Sequence, residues 1–208
     1  MTYNYIAIEG NIGAGKTTLA RRLANQFKGN LVLEKFQSNP FLTLFYENPE
    51  KYSFQVETSF LIDRFRQLYF SLQNLDRLTI SDYYFSKCLI FSKITLKDKD
   101  YRIYEHIYHK YQSVLPVPDL YVYLHSGVDR LIKNIHKRGR NYEQNIQKTY
   151  LEKIEHAYFE YFDRKTDQRI LIININTKNF VNNPENYVNL TEIILNHAYR
   201  KGITRIDM

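Results

Sequence analysis

The sequence predicts an α/β protein with a parallel sheet. Short apolar runs alternate with longer amphipathic segments, and a glycine-rich turn joins the first run to the first such segment. No internal repeat, low-complexity tract or linker interrupts that alternation, so the 208 residues are expected to form one domain, 1–208.

The elements follow in order. "YNYIAIE" (3–9) alternates and reads as the first strand, and "KTTLARRLANQF" (16–27) as a helix with Leu19, Leu23 and Phe27 on one face. "LVLE" (31–34) is the second strand. The longest helical pattern, 53–75, repeats Phe60, Leu61, Arg64, Leu68 and Leu72 at helical spacing. "RLTISD" (77–82) is the third strand, followed by helices over about 83–96 and 99–113. "PVPD" punctuates the approach to the fourth strand, "DLYVYLH" (119–125). Helices over about 127–137 and 148–163 lead to the fifth strand, "RILIININ" (169–176), and a last helix covers about 185–199.

Hydrophobic residues at 44% and charged residues at 25% allow a sizeable core. The 19 Tyr and 13 Phe serve either as core or as faces for a flat ligand. A net charge of +7 permits a polyanionic partner, yet no run of five like charges occurs; the densest stretch is "HKRGR" (136–140). Scattered charge of this kind points to a solvated surface more than to a nucleic-acid footprint. A single cysteine, Cys88 in "CLIF", excludes an internal disulfide framework and reads as a core residue in a reducing compartment. No apolar run approaches the roughly 20 residues of a membrane helix. The first strand begins too early to leave room for a signal peptide, so a cytoplasmic location is expected. The six histidines show no metal-ligand spacing, and no zinc site is expected.

"GNIGAGKTT" (10–18) fits G-x-x-x-x-G-K-[ST] in full, between a strand and a helix. Glycines there let backbone N–H groups approach phosphate, and the following helix adds its positive end. Lys16 reaches the outer phosphates and Thr17 can ligate Mg²⁺. The chain therefore binds a nucleoside triphosphate. The base-reading N-K-x-D of a GTPase switch is absent. Asp82 ends the third strand as a metal-holding carboxylate would, which does not choose among phosphoryl-transfer machines. Glu34 ends the second strand, as an exposed strand-end residue or as a base near an acceptor hydroxyl.

The P-loop, "EKFQSNPFLTLFYENPEKYSFQVETSFLIDRFRQ" (34–67) and "RGRNYEQ" (138–144) together resemble the deoxyribonucleoside kinase family of deoxycytidine, deoxyguanosine and bacterial deoxyadenosine kinases, from about residue 5 to about residue 195. The resemblance implies a P-loop kinase fold, a five-stranded parallel sheet flanked by helices, with an arginine-rich lid at about 138–147. It implies a Mg·ATP-dependent enzyme of nucleotide salvage that phosphorylates the 5′-hydroxyl of a deoxyribonucleoside. Partners would be that substrate and a second copy in a homodimer, with no nucleic acid and no membrane. ATP would be held by Gly10, Asn11, Ile12, Gly13, Ala14, Gly15, Lys16, Thr17 and Thr18, with Phe180 of "TKNF" in the loop that packs on adenine. Glu34 would be the general base, and Thr17, Glu34 and Asp82 would hold Mg²⁺, partly through water. Tyr46 and Glu143 would hold the sugar 3′-hydroxyl, Arg64 would face the base, and Glu57 stands where the family usually carries a base-reading glutamine. Arg138 and Arg140 match lid arginines that close on the transferring phosphate alongside Lys16; two guanidinium forks on one flexible segment suit that task independently.

Two departures matter. The family usually places arginine and serine after the third-strand acid, whereas this chain has Tyr83 and Tyr84. Arg64, Lys87 or a lid arginine is left to replace the missing cation, and the lid is the expected source. Glu57 replaces an amide by an acceptor-only carboxylate. Ionised and neutralised by Arg64 two helical turns on, it would prefer donor-rich bases: amino-bearing deoxynucleosides over thymidine, deoxyadenosine and deoxyguanosine first, deoxycytidine after them. The rival enzyme is a nucleoside monophosphate kinase of the thymidylate kinase type, which would need further arginines for the substrate's own phosphate. A nucleotide-gated nucleic-acid binder is the rival of another class, distinguished by steep salt dependence.

Overall fold

The computed structural model describes residues 3–208, and all side chains among them except that of residue 38. Its strands are β1 (Tyr5–Gly10), β2 (Asn30–Val32), β3 (Thr79–Ser81), β4 (Leu120–His125), β5 (Arg169–Asn174) and β6 (Gly202–Asp207). Its helices are α1 (Lys16–Phe27), α2 (Leu42–Glu47), α3 (Pro49–Ser71), α4 (Ser86–Thr95), α5 (Asp98–Gln112), α6 (Val128–Arg138), α7 (Lys148–Asp163) and α8 (Pro184–Leu195). Every strand pairing is parallel, in the order β2-β3-β1-β4-β5-β6.

The α/β class stands, but among the described residues the sheet has six strands and not five. The sixth, β6, runs parallel to β5 from Arg169 opposite Gly202 to Asn174 opposite Asp207. As a partly exposed edge strand it lacks the continuous apolar run that marks the central strands. The last helix ends at Leu195, four residues short of the expected 199, and the chain then crosses to that edge. Two further boundaries differ near the site. The second strand stops at Val32, so Glu34 lies in the loop beyond it. Helix α3 begins at Pro49 because Asn48 caps it, its side chain accepting from the Lys51 N–H at 3.2 Å, and it ends at Ser71. Helix α2 is too short for helical periodicity to announce it.

Helix α3 buries Val56, Glu57, Phe60, Leu61, Arg64 and Leu68 along one stripe. Two ionisable residues within that stripe face inward, which only a polar site beneath the helix makes tolerable. The tyrosine-rich composition serves mainly the core: Tyr5, Tyr83, Tyr84, Tyr121 and Tyr158 are fully buried. Their hydroxyls have partners, such as Tyr83 to Gln67 Oε1 at 2.8 Å and Gln112 Nε2 to Tyr84 at 2.6 Å. Cys88 is buried, as expected of a core thiol. Among the described residues no helix is long and apolar enough to cross a membrane.

Gly29 marks a close crossing between the end of α1 and the strand β3. A Cβ there would meet the Leu78 carbonyl oxygen at 2.4 Å, and that oxygen already accepts the Asn30 N–H at 2.8 Å. Both atoms are backbone and cannot turn aside. Gly29→Ala is expected to lower unfolding free energy by about 1–3 kcal/mol, read as an earlier urea midpoint at unchanged slope.

Candidate active site

Open parallel sheets bind ligands beyond the carboxyl ends of their strands, where the strand order reverses. Here β1 is flanked by β3 and β4, and the loop after β1 is the glycine-rich turn. Gly15 caps α1 in the left-handed region, at φ 88°, with the Phe180 ring so close that a Cβ would meet Cζ at 2.9 Å. Phe180, expected in the loop that packs on adenine, has its ring buried against the phosphate loop. Two arginines absent from the sequence-based assignment pin its segment. Arg22 donates to Phe180 O at 2.6 Å, and Arg130 donates to Asn176 O at 2.5 Å and Lys178 O at 2.6 Å. Lys16 Nζ donates to Gly10 O at 2.9 Å and Asn11 O at 2.8 Å, which leaves one of its three protons for a phosphate oxygen. Burial, followed by the charge of Lys87, lowers its pKa to about 8.

Glu34 lines the cavity beyond the strand ends. Arg64 donates to its Oε1 through Nε at 2.8 Å and Nη2 at 2.5 Å, and Lys87 donates to Oε2 at 2.5 Å. Burial pushes this carboxyl up, but Lys87 and Arg64 more than offset it and hold it well below the usual carboxylate range. The loop backbone is fixed as well: the Glu34 N–H donates to Asp82 Oδ1 at 2.8 Å, while Asp82 N donates to Val32 O at 3.1 Å. Thr17 Oγ1 donates to Asp82 Oδ2 at 2.5 Å. A threonine hydroxyl beside a carboxylate is a hard oxygen pair that fits Mg²⁺. Among the described residues no group of three or more acidic, His or Cys side chains could hold a metal alone, so such an ion would draw its other ligands from phosphate and water. The oxygens of Glu34, the other residue expected near the ion, are bound by Arg64 and Lys87.

The expected replacement for the missing arginine is also corrected. Both lid guanidiniums turn to Glu143: Arg138 donates to its Oε2, and Arg140 to its Oε1 at 3.1 Å. Arg64 and Lys87 hold Glu34 instead. Arg140 also lies over the Phe36 ring, 3.9 Å from its centroid. Tyr46 stacks on Tyr142, with centroids 5.8 Å apart, and faces the cavity with Glu143 without bonding to it. Burial and the Glu143 charge raise the Tyr46 pKa.

Glu57 is buried and lines the same cavity. Arg64 does not pair with it, contrary to expectation, since the guanidinium is spent on Glu34, with Nη1 directed to Cys88 Sγ at 3.4 Å. Glu57 Oε1 accepts from Thr95 Oγ1 at 2.9 Å, and Oε2 has no hydrogen-bond partner among the described residues. Burial pushes its pKa up to about 7, against the pull of Arg64 and Thr95. Ionisation at neutral pH is therefore partial. Thr95 Oγ1 also lies 3.1 Å from Phe91 O, and its single proton serves one acceptor at a time.

The cavity measures about 110 Å³ and gathers Lys16, Thr17, Glu34, Asp82, Arg138 and Glu143 along with Glu57. Sequence reasoning missed Glu9, buried at the end of β1, where its oxygens accept from Tyr84 N at 2.7 Å and Tyr158 OH at 2.8 Å. Burial raises its pKa, with Lys87 opposing. A glutamate inside an apolar strand just before the glycine-rich turn was the signal available.

Comparison with known proteins agrees with this geometry. The deoxynucleoside kinase family model matches residues 6–198. A deoxyguanosine kinase of Bacillus subtilis (strain 168) is 35% identical over 193 residues, covering 89% of this chain and 93% of the relative. A deoxyadenosine kinase of Dictyostelium discoideum is 32% identical over 182 residues, covering 85% and 74%. Among solved structures, deoxyadenosine kinase from M. mycoides with bound dATP superposes with a TM-score of 0.80 at 24% identity, covering 93% of this chain and 99% of that one, a likeness of fold.

Proposed function

The chain belongs to the deoxynucleoside kinase family and is an enzyme that phosphorylates deoxynucleosides; we propose that its acceptor is a purine deoxynucleoside, taking the γ-phosphoryl group of Mg·ATP on the 5′-hydroxyl. One observation carries this reading: Glu34, ionised between two cations, shares one cavity with Lys16 and Thr17 of the phosphate loop and with Glu57. The 5′-hydroxyl passes its proton to Glu34 while the oxygen attacks phosphorus. Lys16 and the lid arginines neutralise charge on the moving group. Bound at Thr17 and Asp82, Mg²⁺ would add neutralisation of the donor phosphates. Arg64, Lys87, Arg138 and Arg140 are each held by a carboxylate of this chain, which suits an uncharged acceptor and disfavours the monophosphate kinase alternative. The cavity is smaller than the roughly 300–1,000 Å³ of ordinary small-molecule sites, so the 138–147 segment must open for substrate and close for chemistry.

The test is ADP release from Mg·ATP with each deoxynucleoside and, separately, each deoxynucleoside monophosphate. Turnover with deoxyguanosine or deoxyadenosine and none with monophosphates is the expected result. Turnover with monophosphates alone would overturn the reading.

Glu57 adds a pH dependence. Ionised, its free oxygen only accepts, which favours the adjacent N–H and amino donors of guanine. Protonated, it offers one donor and one acceptor, as an amide does. With a pKa of about 7, raising the pH from one unit below to one unit above multiplies the ionised fraction by about ten. The ratio of kcat/KM for deoxyguanosine over thymidine should rise by up to about that factor. In Glu57→Gln the ratio should be flat with pH and shifted toward pyrimidines; an unchanged pH dependence would exclude Glu57 as the base reader.

A further inference from the structure

The site contains a buried lysine that the family resemblance does not assign. Lys87 lies in the first turn of α4 with its side chain 9% exposed, and its ammonium meets Glu34 Oε2. We propose that Lys87 is the positioning residue of the catalytic base: it fixes the proton-accepting oxygen of Glu34 and is the cation released toward the phosphoryl group when that proton arrives. The inference rests on Glu34 serving the 5′-hydroxyl as base.

A carboxylate offers about four lone-pair sites, two on each oxygen. Arg64 uses both on Oε1, through Nε and Nη2. Lys87 uses one on Oε2. The free lone pair is therefore on Oε2, beside the ammonium. An oxygen delivered there places its proton next to Lys87 and not next to Arg64.

The surrounding charges agree. Lys87 and Lys16 line the same cavity, so two ammonium groups share it. Glu34 shares the cavity with Arg64 from α3, Lys87 from α4 and Lys16 from α1, and with the acidic and phenolic groups of Asp82, Glu57 and Tyr46. Crowding two cations without an intervening anion is unfavourable unless a polyanion shares them. During transfer the O5′–H bond breaks and its proton goes to Oε2. The O5′–Pγ bond forms, and the bridging Pγ–O bond breaks with its electron pair leaving on ADP. Glu34 becomes neutral, and Lys87 loses its counter-charge at the moment negative charge peaks on the phosphoryl oxygens. Its remaining N–H donors then have a partner. Arg64, bound through two donors and buried over the Phe60 ring at 4.4 Å, has no such freedom.

The experiment compares the full-length enzyme with Lys87→Met, Lys87→Arg and Lys87→Ala, using a purine deoxynucleoside and Mg·ATP, with Glu34→Gln as control. Lys87→Met should lower kcat by about 10²–10³-fold while the nucleoside KM changes by less than about threefold, because the base and sugar contacts remain. The loss should therefore sit in kcat and not in KM, a split that a general loss of folding would not give. Lys87→Arg should retain activity within about tenfold, and ethylammonium should restore Lys87→Ala by about tenfold or more. A Lys87→Met enzyme with kcat within about threefold of the parent, or one with low kcat whose alanine counterpart ignores the amine, overturns the proposal. Retained activity in Glu34→Gln would instead remove the base assignment beneath it. A parent enzyme inactive with every deoxynucleoside would remove the proposed function.

Discussion

Replacing Glu34 by glutamine is expected to lower kcat for the deoxynucleoside by about 10²–10⁴-fold, equivalent to about 3–5 kcal/mol of transition-state stabilisation. The substitution keeps the size of the side chain and removes its ability to take a proton. It also leaves Arg64 and Lys87 facing an amide, so two buried cations lose their common anion. Stability should therefore fall with activity, and the two effects must be separated. ATP binding supplies that separation, because the phosphate loop does not depend on Glu34. A variant that still binds ATP, binds the nucleoside within a few-fold and fails to turn over has lost a base. Less than about tenfold loss of kcat would remove Glu34 from the chemistry. The parent pH profile is a companion result: with the Glu34 pKa held well below the carboxylate range, kcat/KM should show no acidic limb near 4.5, the ordinary value.

Arg64→Met should be the most damaging change outside the catalytic base. One guanidinium serves both carboxylates of the site: it binds Glu34 Oε1 twice and is the main charge opposing the raised pKa of Glu57. Removing one partner of a buried pair costs about 3–5 kcal/mol; Lys87 still faces Glu34, so the lower end is expected. The sign with pH follows from Glu34. Its folded pKa is depressed, so its contribution is present in full above the unfolded value of about 4.5 and fades as pH falls through the folded one. The stability difference between parent and variant should thus be full at neutral pH and narrow below about 4.5. Glu57, released from the guanidinium, should hold its proton to higher pH, and the base preference should lose its pH dependence near neutrality. A stability gap that stays constant into acid would mean that Arg64 acts through packing over Phe60 and not through Glu34.

The deoxynucleoside kinase family, the α/β class and the phosphate loop were legible in the residues themselves, because each depends on local pattern. Alternation writes the strands, and "GNIGAGKTT" writes the turn and the helix that follows. Glu34, Glu57, Arg64, Asp82, Arg138, Arg140 and Glu143 were identified by the same route, and the fold brings all of them to one cavity. Their pairing was not legible. Arg64 and Glu57 share a helix face, which suggested a pair, yet Glu34 arrives from a loop after β2 and takes the guanidinium through two donors. The lid arginines looked free to reach Glu34, but Glu143 lies within the same short segment and binds both. Lys87 was one of three candidates for the missing cation, and Glu9 was not singled out. Burial beside opposite charge or hydroxyl partners is what makes each tolerable, and those partners are distant in sequence.

What the sequence by itself determined is therefore the repertoire: a phosphate cradle, a set of carboxylates and guanidiniums, and the strands and helices that carry them. Only the tertiary structure decided which charge neutralises which. Periodicity and turn chemistry are local and survive in one dimension. Ion pairing depends on distance in space, and this cavity gathers charged side chains from segments far apart in the chain.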